Sequence, residues 1–264
     1  MLRAIIASIL GGLSCGIIGV WIILARIPFV GVAMSHAAFA GAIIGLLFGI
    51  DPLLMAILFA LIASALIGPV AERADIDPNV SLGIIFSFLL GIAFLGIGLL
   101  KGPKTEALNF IWGNILLLSN KDLIFLMLVV LIILLTLVLL FKEIMAVLFN
   151  REIARSVGIP ERIIFYLLIL ISGLTVALSL NTIGGLLIFS LIINPPSAAY
   201  QLTYDLKKMF ILSGLFGIIS CLSGLFFSYL FNVPSGAVII ISSSVIFGIC
   251  LLFSPKKWIA HEPS

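Results

Sequence analysis

Charge is scarce in this sequence. Of 264 residues, only 9% are Asp, Glu, Lys or Arg, where a soluble domain carries about 25%. The 63% hydrophobic share and the mean hydropathy of +1.40 exclude an ordinary soluble globule and point to a polytopic membrane protein. A net charge of +3, spread thinly, leaves no basic patch for nucleic acid. Three cysteines, Cys15, Cys221 and Cys250, fall in separate apolar runs, so neither a disulfide framework nor a thiolate metal cluster is expected. Histidine is rarer still, with His36 in an apolar run and His261 in the polar tail.

Two further absences narrow the function. The eleven carboxylates all lie at or beyond the end of an apolar run. Proton- and sodium-coupled carriers bury an ionisable group near the bilayer midplane, and only His36 is placed to be one here. No G-x-x-x-x-G-K-[ST] phosphate loop occurs, so ATP is not bound in that way by this chain. Energy for uphill transport is therefore expected from a separate subunit.

What is present is a series of nine apolar segments, near 4–24, 28–49, 52–71, 82–100, 121–141, 162–181, 184–200, 209–231 and 236–253. Most approach the ~20 residues that a helix needs to cross a bilayer. Connections at Ala25–Ile27, Ile50–Asp51 and Asn181–Ile183 are short, so eight or nine spans are expected in an all-α chain forming one domain over 1–264. The run after Met1-Leu2-Arg3 reads as a retained span rather than a cleaved signal. Placing the 142–162 connection in the cytoplasm puts Arg26, Arg73, Lys142, Arg151, Arg155, Arg162, Lys207, Lys208, Lys256 and Lys257 inside. Only Arg3, Lys101, Lys104 and Lys121 fall outside. The C-terminus is then cytoplasmic.

Three stretches carry polar chemistry. Pro28–Gly41 holds His36 among Ser35, Ala37, Ala38, Ala40 and Gly41. Taken alone, the imidazole reads either as a hydrogen-bonding group between helices or as a ligand for something in transit. In the 142–162 connection, Asn150 is a good N-cap, Arg151–Val157 can form two turns, and Gly158 is a natural terminator. Phe149, Ile153 and Val157 make an apolar stripe beside polar Arg151, Glu152 and Arg155, which suits docking on a partner or lying along headgroups. In the segment from Gly184, Pro195 and Pro196 remove two backbone donors beside polar Asn194, and a break in the helix is expected there. It reads as a pore-facing helix or as a plain kink. Ser35 beside His36 does not form a catalytic pair, because adjacent residues diverge on a helix.

Six pieces in order carry a family resemblance. They are Met34-Ser35-His36-Ala37 with Gly41, Ser81–Ser87, Trp112-Gly113-Asn114-Ile115-Leu116, Phe149–Pro160, Gly184–Ala199 and Pro234-Ser235-Gly236. Together they resemble the membrane permease of metal-type ATP-binding-cassette importers for zinc, manganese or iron. The resemblance implies a type II importer-like permease in the prokaryotic plasma or inner membrane. Its implied partners are a second copy of itself, a cytoplasmic ATPase and an extracellular metal-binding solute-binding protein. No resident cofactor is implied; a divalent metal ion, zinc or manganese first, would be the cargo.

The resemblance also makes Arg151, Glu152, Arg155 and Gly158 similar to the coupling helix that rests on the ATPase. It makes His36 a pathway ligand. One residue departs from the pattern: the family usually places an aspartate four residues before this histidine, and position 32 is Val32. A second ligand would then come from Ser35, Asn194 or a backbone carbonyl. Asn194 also departs, since an apolar residue is usual before that proline. A permease of the same fold for a non-metal substrate, or a stand-alone secondary transporter, is the alternative reading.

Overall fold

A computed structural model describes residues 2–100 and 118–258. The Trp112–Leu116 piece, Lys101, Lys104, Glu106, His261 and Glu262 lie outside these residues. The described residues form eleven α-helices: α1 Leu2–Leu24, α2 Val30–Phe48, α3 Pro52–Ala74, α4 Pro78–Leu99, α5 Asn120–Leu139, α6 Phe141–Phe149, α7 Arg151–Ser156, α8 Glu161–Ile183, α9 Gly185–Leu202, α10 Leu206–Phe231 and α11 Ser235–Leu252. A 3-10 turn, Pro255–Trp258, follows. Seven of the helices are long and apolar enough to cross a membrane, and Pro52–Ile67 adds a shorter apolar stretch. The expected eight or nine spans are thus supported roughly, and every one of the nine expected segments falls on a long helix.

The helices begin and end where local chemistry allows. Four carboxylates kept out of the apolar runs bind free N–H groups at helix starts. Asp51 Oδ1 accepts from Leu53 N at 2.8 Å, and Asp77 Oδ1 from Asn79 N at 2.7 Å. Asp122 closes a capping box with Ser119, and Asp205 Oδ1 accepts from Lys208 N at 3.1 Å. Each carboxylate also sits at the positive end of a helix dipole.

Packing is that of a membrane bundle. Gly12 of α1 lies against the backbone of Gly217 in α10, as Gly16 does against Ser213, whose Oγ donates to Gly16 O at 2.6 Å. Such approaches need residues without bulk, since hydrocarbon gives helices no hydrophobic reason to associate. Trp21 Nε1 donates to Ser172 Oγ at 2.9 Å, tying α1 to α8 with one buried polar bond. The outer faces of α4 and α5 instead expose Phe88, Leu95, Leu131 and Val138, an apolar surface that lipid covers and water would not.

The basic connections gather at one end. Leu24, Tyr200, Leu206, Met209 and Lys256 meet there, Lys207 lies over Phe141, and Arg151 lies over Phe165. At the opposite end Arg3 donates to Leu118 O. α2 occupies the interior, packed on α3, α4, α8 and α9.

Three expectations are corrected. The 142–162 connection contains two short helices, α6 and α7; Ile144 and Val147 of α6 are buried, which the charged residues around them obscured. The Asn181–Ile183 connection is the last turn of α8, and the chain reverses at Gly184, whose φ of +88° a residue with a side chain rarely adopts. Pro195 and Pro196 do not break α9, which is helical from Gly185 to Leu202. The carbonyl that Pro196 cannot serve, Ile192 O, is covered by the bare backbone of Gly19 in α1, so the proline gap is packed against protein.

Candidate functional site

α2 presents its histidine on a half-buried face of an otherwise packed stretch. Between Val30 and Ile43 every residue is buried except Val32 and His36, which are half-buried and stand one turn apart on the same face. The His36 ring meets Phe86 of α4 edge-on with centroids 4.8 Å apart, and Phe86 meets Phe29 at 5.5 Å. His36 Nδ1 lies 3.0 Å from Val32 O. A carbonyl can only accept, so this bond requires the proton on Nδ1 and leaves the lone pair on Nε2. In that tautomer an imidazole can take a metal through Nε2.

Ser35 is buried beside this pair, and its Oγ also donates to Val32 O, at 2.9 Å. Its neighbour is the reversal between α8 and α9: a Cβ placed on Gly185 would lie 3.6 Å from Ser35 Cβ. The reversal is buried, with Ile183 against Gly11 near the middle of α1.

Asn194 is not brought to His36. Its Nδ2 lies 2.9 Å from Ser243 Oγ, 3.0 Å from Ser244 Oγ and 3.0 Å from Ser190 Oγ, joining α9 to α11. The α9 residues against α2 are Phe189 and Ile192, which approach Gly31. Asn194, two residues past Ile192, points to the other side of the helix. Among the described residues, no three His, Cys, Asp or Glu side chains gather where they could hold a metal ion.

At the basic end, α7 forms as its sequence directs. Asn150 Oδ1 accepts from Glu152 N at 2.9 Å and Ile153 N at 3.1 Å, and Gly158 leaves the helix with φ of +84°. Phe149, Ile153 and Val157 are 83%, 52% and 67% exposed, so the apolar stripe has no cover among the described residues. The opposite side is anchored. Ala154 is buried, the Arg151 guanidinium lies 4.2 Å from the Phe165 ring centroid, and Arg155 Nε donates to Glu161 Oε1 at 3.0 Å. The polar residues thus fasten α7 to α8 while the apolar ones face outward, the reverse of a soluble surface helix.

Sequence reasoning had not singled out Phe86, Glu161, Ser190, Ser243 or Gly19. Glu161, directly after Pro160, was legible as a carboxylate within reach of Arg155. The others carried no local signal in an apolar chain.

Residues 1–254 match the ABC 3 transport family. The chain belongs to that family. Similar proteins include the manganese transport system membrane protein MntC of Halalkalibacterium halodurans, 32% identical over 97% of this chain and 87% of that one. The manganese import system permease protein ScaB of Streptococcus parasanguinis is also 32% identical, over 97% of this chain and 91% of its own. Among solved structures, PsaBC from Streptococcus pneumoniae in complex with Fab superposes with a TM-score of 0.86 at 31% identity. That match covers 97% of this chain and 92% of the other. A putative metal-chelate type transporter in an inward-facing conformation, at 15% identity and TM-score 0.75, shares the fold. As an ABC 3 family member, the chain is a multi-pass transport component of the cell membrane and not an enzyme.

Proposed function

We propose that the chain is the permease of an ATP-driven importer of a divalent transition metal, with manganese as the first candidate and zinc as the second. The observation that carries the cargo class is the half-buried His36 in a packed stretch of α2, whose Nδ1 bond to Val32 O leaves Nε2 for a ligand. One nitrogen ligand is enough for transit and too few for storage, as conduction requires. The names of the similar manganese permeases support the choice of metal.

One exposed surface supports one of the partners. A cytoplasmic ATPase docks on the exposed stripe of Phe149, Ile153 and Val157, with Arg151, Glu152, Arg155 and Gly158 fixing that helix. This reading places the basic end in the cytoplasm. A second copy in a homodimer and a solute-binding protein that delivers the ion at the opposite end are the further partners that the family resemblance implies.

Reconstitution in vesicles with the cognate ATPase tests the proposal. Manganese accumulation should require ATP, and the permease should stimulate hydrolysis. Hydrolysis indifferent to the permease, with no metal uptake, would overturn it.

A further inference from the structure

α9 links the His36 helix to the basic end. Its first turn backs on Ser35, and Phe189 and Ile192 lie against Gly31. It is also fastened twice from another side, both times by α11 or the residues directly after it. Inside the membrane, the Asn194 amide is held by Ser243 and Ser244, and Ser190 Oγ lies 2.9 Å from Ser243 Oγ. At the basic end, the buried Ser254 hydroxyl lies 3.1 Å from Gln201 O and 2.9 Å from Gln201 Oε1. It also accepts from Lys256 N at 3.2 Å. Lys256 Nζ then sits 3.4 Å from the Tyr200 ring centroid and 4.6 Å from that of Tyr204.

We propose that Ser254–Lys256 is a latch on the basic end of α9, closed while the pathway beside α2 is shut at that end and released when it opens. Between latch and pathway lie Pro195 and Pro196, which lack N–H groups for Leu191 O and Ile192 O. The hydrogen-bond ladder is weakest there, so a swing of the last two turns off Gly19 of α1 would bend α9 at the prolines and leave the turns packed on α2 in place. The latch is built to let go: a cation over two rings and one hydroxyl bond are weak singly. Burial lowers the Lys256 pKa, so the ammonium is partly stripped of water, the condition in which ring faces hold it best. A hollow of about 190 Å³, lined by Leu24, Thr203, Leu206 and Met209 with the two tyrosines and Lys256, gives the side chain room to leave.

The latch rests on the permease reading and not on His36 as a ligand. Its test is a Gln201→Cys/Ser254→Cys pair, with Cys15, Cys221 and Cys250 replaced by alanine, in vesicles containing the permease–ATPase complex. Oxidation should lower ATP-driven manganese uptake at least about fivefold, the low end for coupled sites, and thiol reduction should restore it. Equal uptake through oxidised and reduced complexes, with the crosslink verified by mass, overturns the latch alone. No ATP-driven uptake even after reduction, in a complex that assembles, overturns the permease reading and the latch with it. As a second readout, Lys256→Gln should raise metal-independent ATP hydrolysis by a similar factor, and Lys256→Arg should return it to the starting level. A rise that Lys256→Arg fails to reverse would assign Lys256 a packing role only.

Discussion

His36 spends one nitrogen on its own helix and keeps the other. The Val32 carbonyl that fixes the tautomer lies one turn back on the same helix, so the backbone does part of the orienting. His36→Ala should therefore abolish metal uptake while leaving assembly with the ATPase and thermal stability near the starting protein, because the ring is half-buried and bonded only locally. Normal uptake by that variant would return the histidine to a packing role. Val32→Asp should raise apparent manganese affinity by about tenfold or more, the scale of one lost or gained group at a metal site. Val32 is half-buried on the open face, so the carboxylate has space. Gly19 makes a sharper case. In an exposed helix, Gly→Ala gains about 1 kcal/mol. Here the new Cβ would strike Ile192 O, so Gly19→Ala should instead cost about 1–3 kcal/mol, read as a lower unfolding temperature in detergent.

At the scale of elements, α7 was the most legible part of the chain. Cap, terminator and apolar stripe were all written in consecutive residues and formed as read, and the helix ends at Ser156, one residue before the Val157 expected. Whether the stripe faced the protein or left it was not local information; the exposure of Phe149, Ile153 and Val157 decided that. Two variants separate folding from docking. Asn150→Ala removes a cap worth about 1 kcal/mol and should loosen α7 itself. Ile153→Ser touches a side chain 52% exposed, so permease stability should hold while stimulation of the ATPase falls. A large stability loss with unchanged stimulation would instead mean that the stripe is packed. α9 was the least legible element. Two prolines predicted a break, but a helix interior can tolerate them when a glycine elsewhere shields the freed carbonyl, and Gly19 is 173 residues away from Ile192 in sequence (192 − 19).

Over the whole molecule, the distribution of charge explains the source of energy as well as the topology. With carboxylates confined to helix ends, four of them capping, no acid group is left to carry a coupling proton through the described spans. Uptake in vesicles should accordingly persist when a proton ionophore collapses the gradient and stop when ATP is withdrawn; the opposite pair of results would favour a stand-alone carrier. By itself, the sequence determined the membrane class, the approximate spans, the basic end and the form of α7, because hydropathy, charge and capping act over a few neighbouring residues. Only the tertiary structure decided which face of α2 stays open, that Asn194 serves α11 rather than His36, and that Ser254 and Lys256 clasp α9. Those facts depend on contacts between residues far apart in the chain, and in a sequence that is apolar nearly throughout, periodicity does not reveal which side of a helix meets protein and which meets lipid.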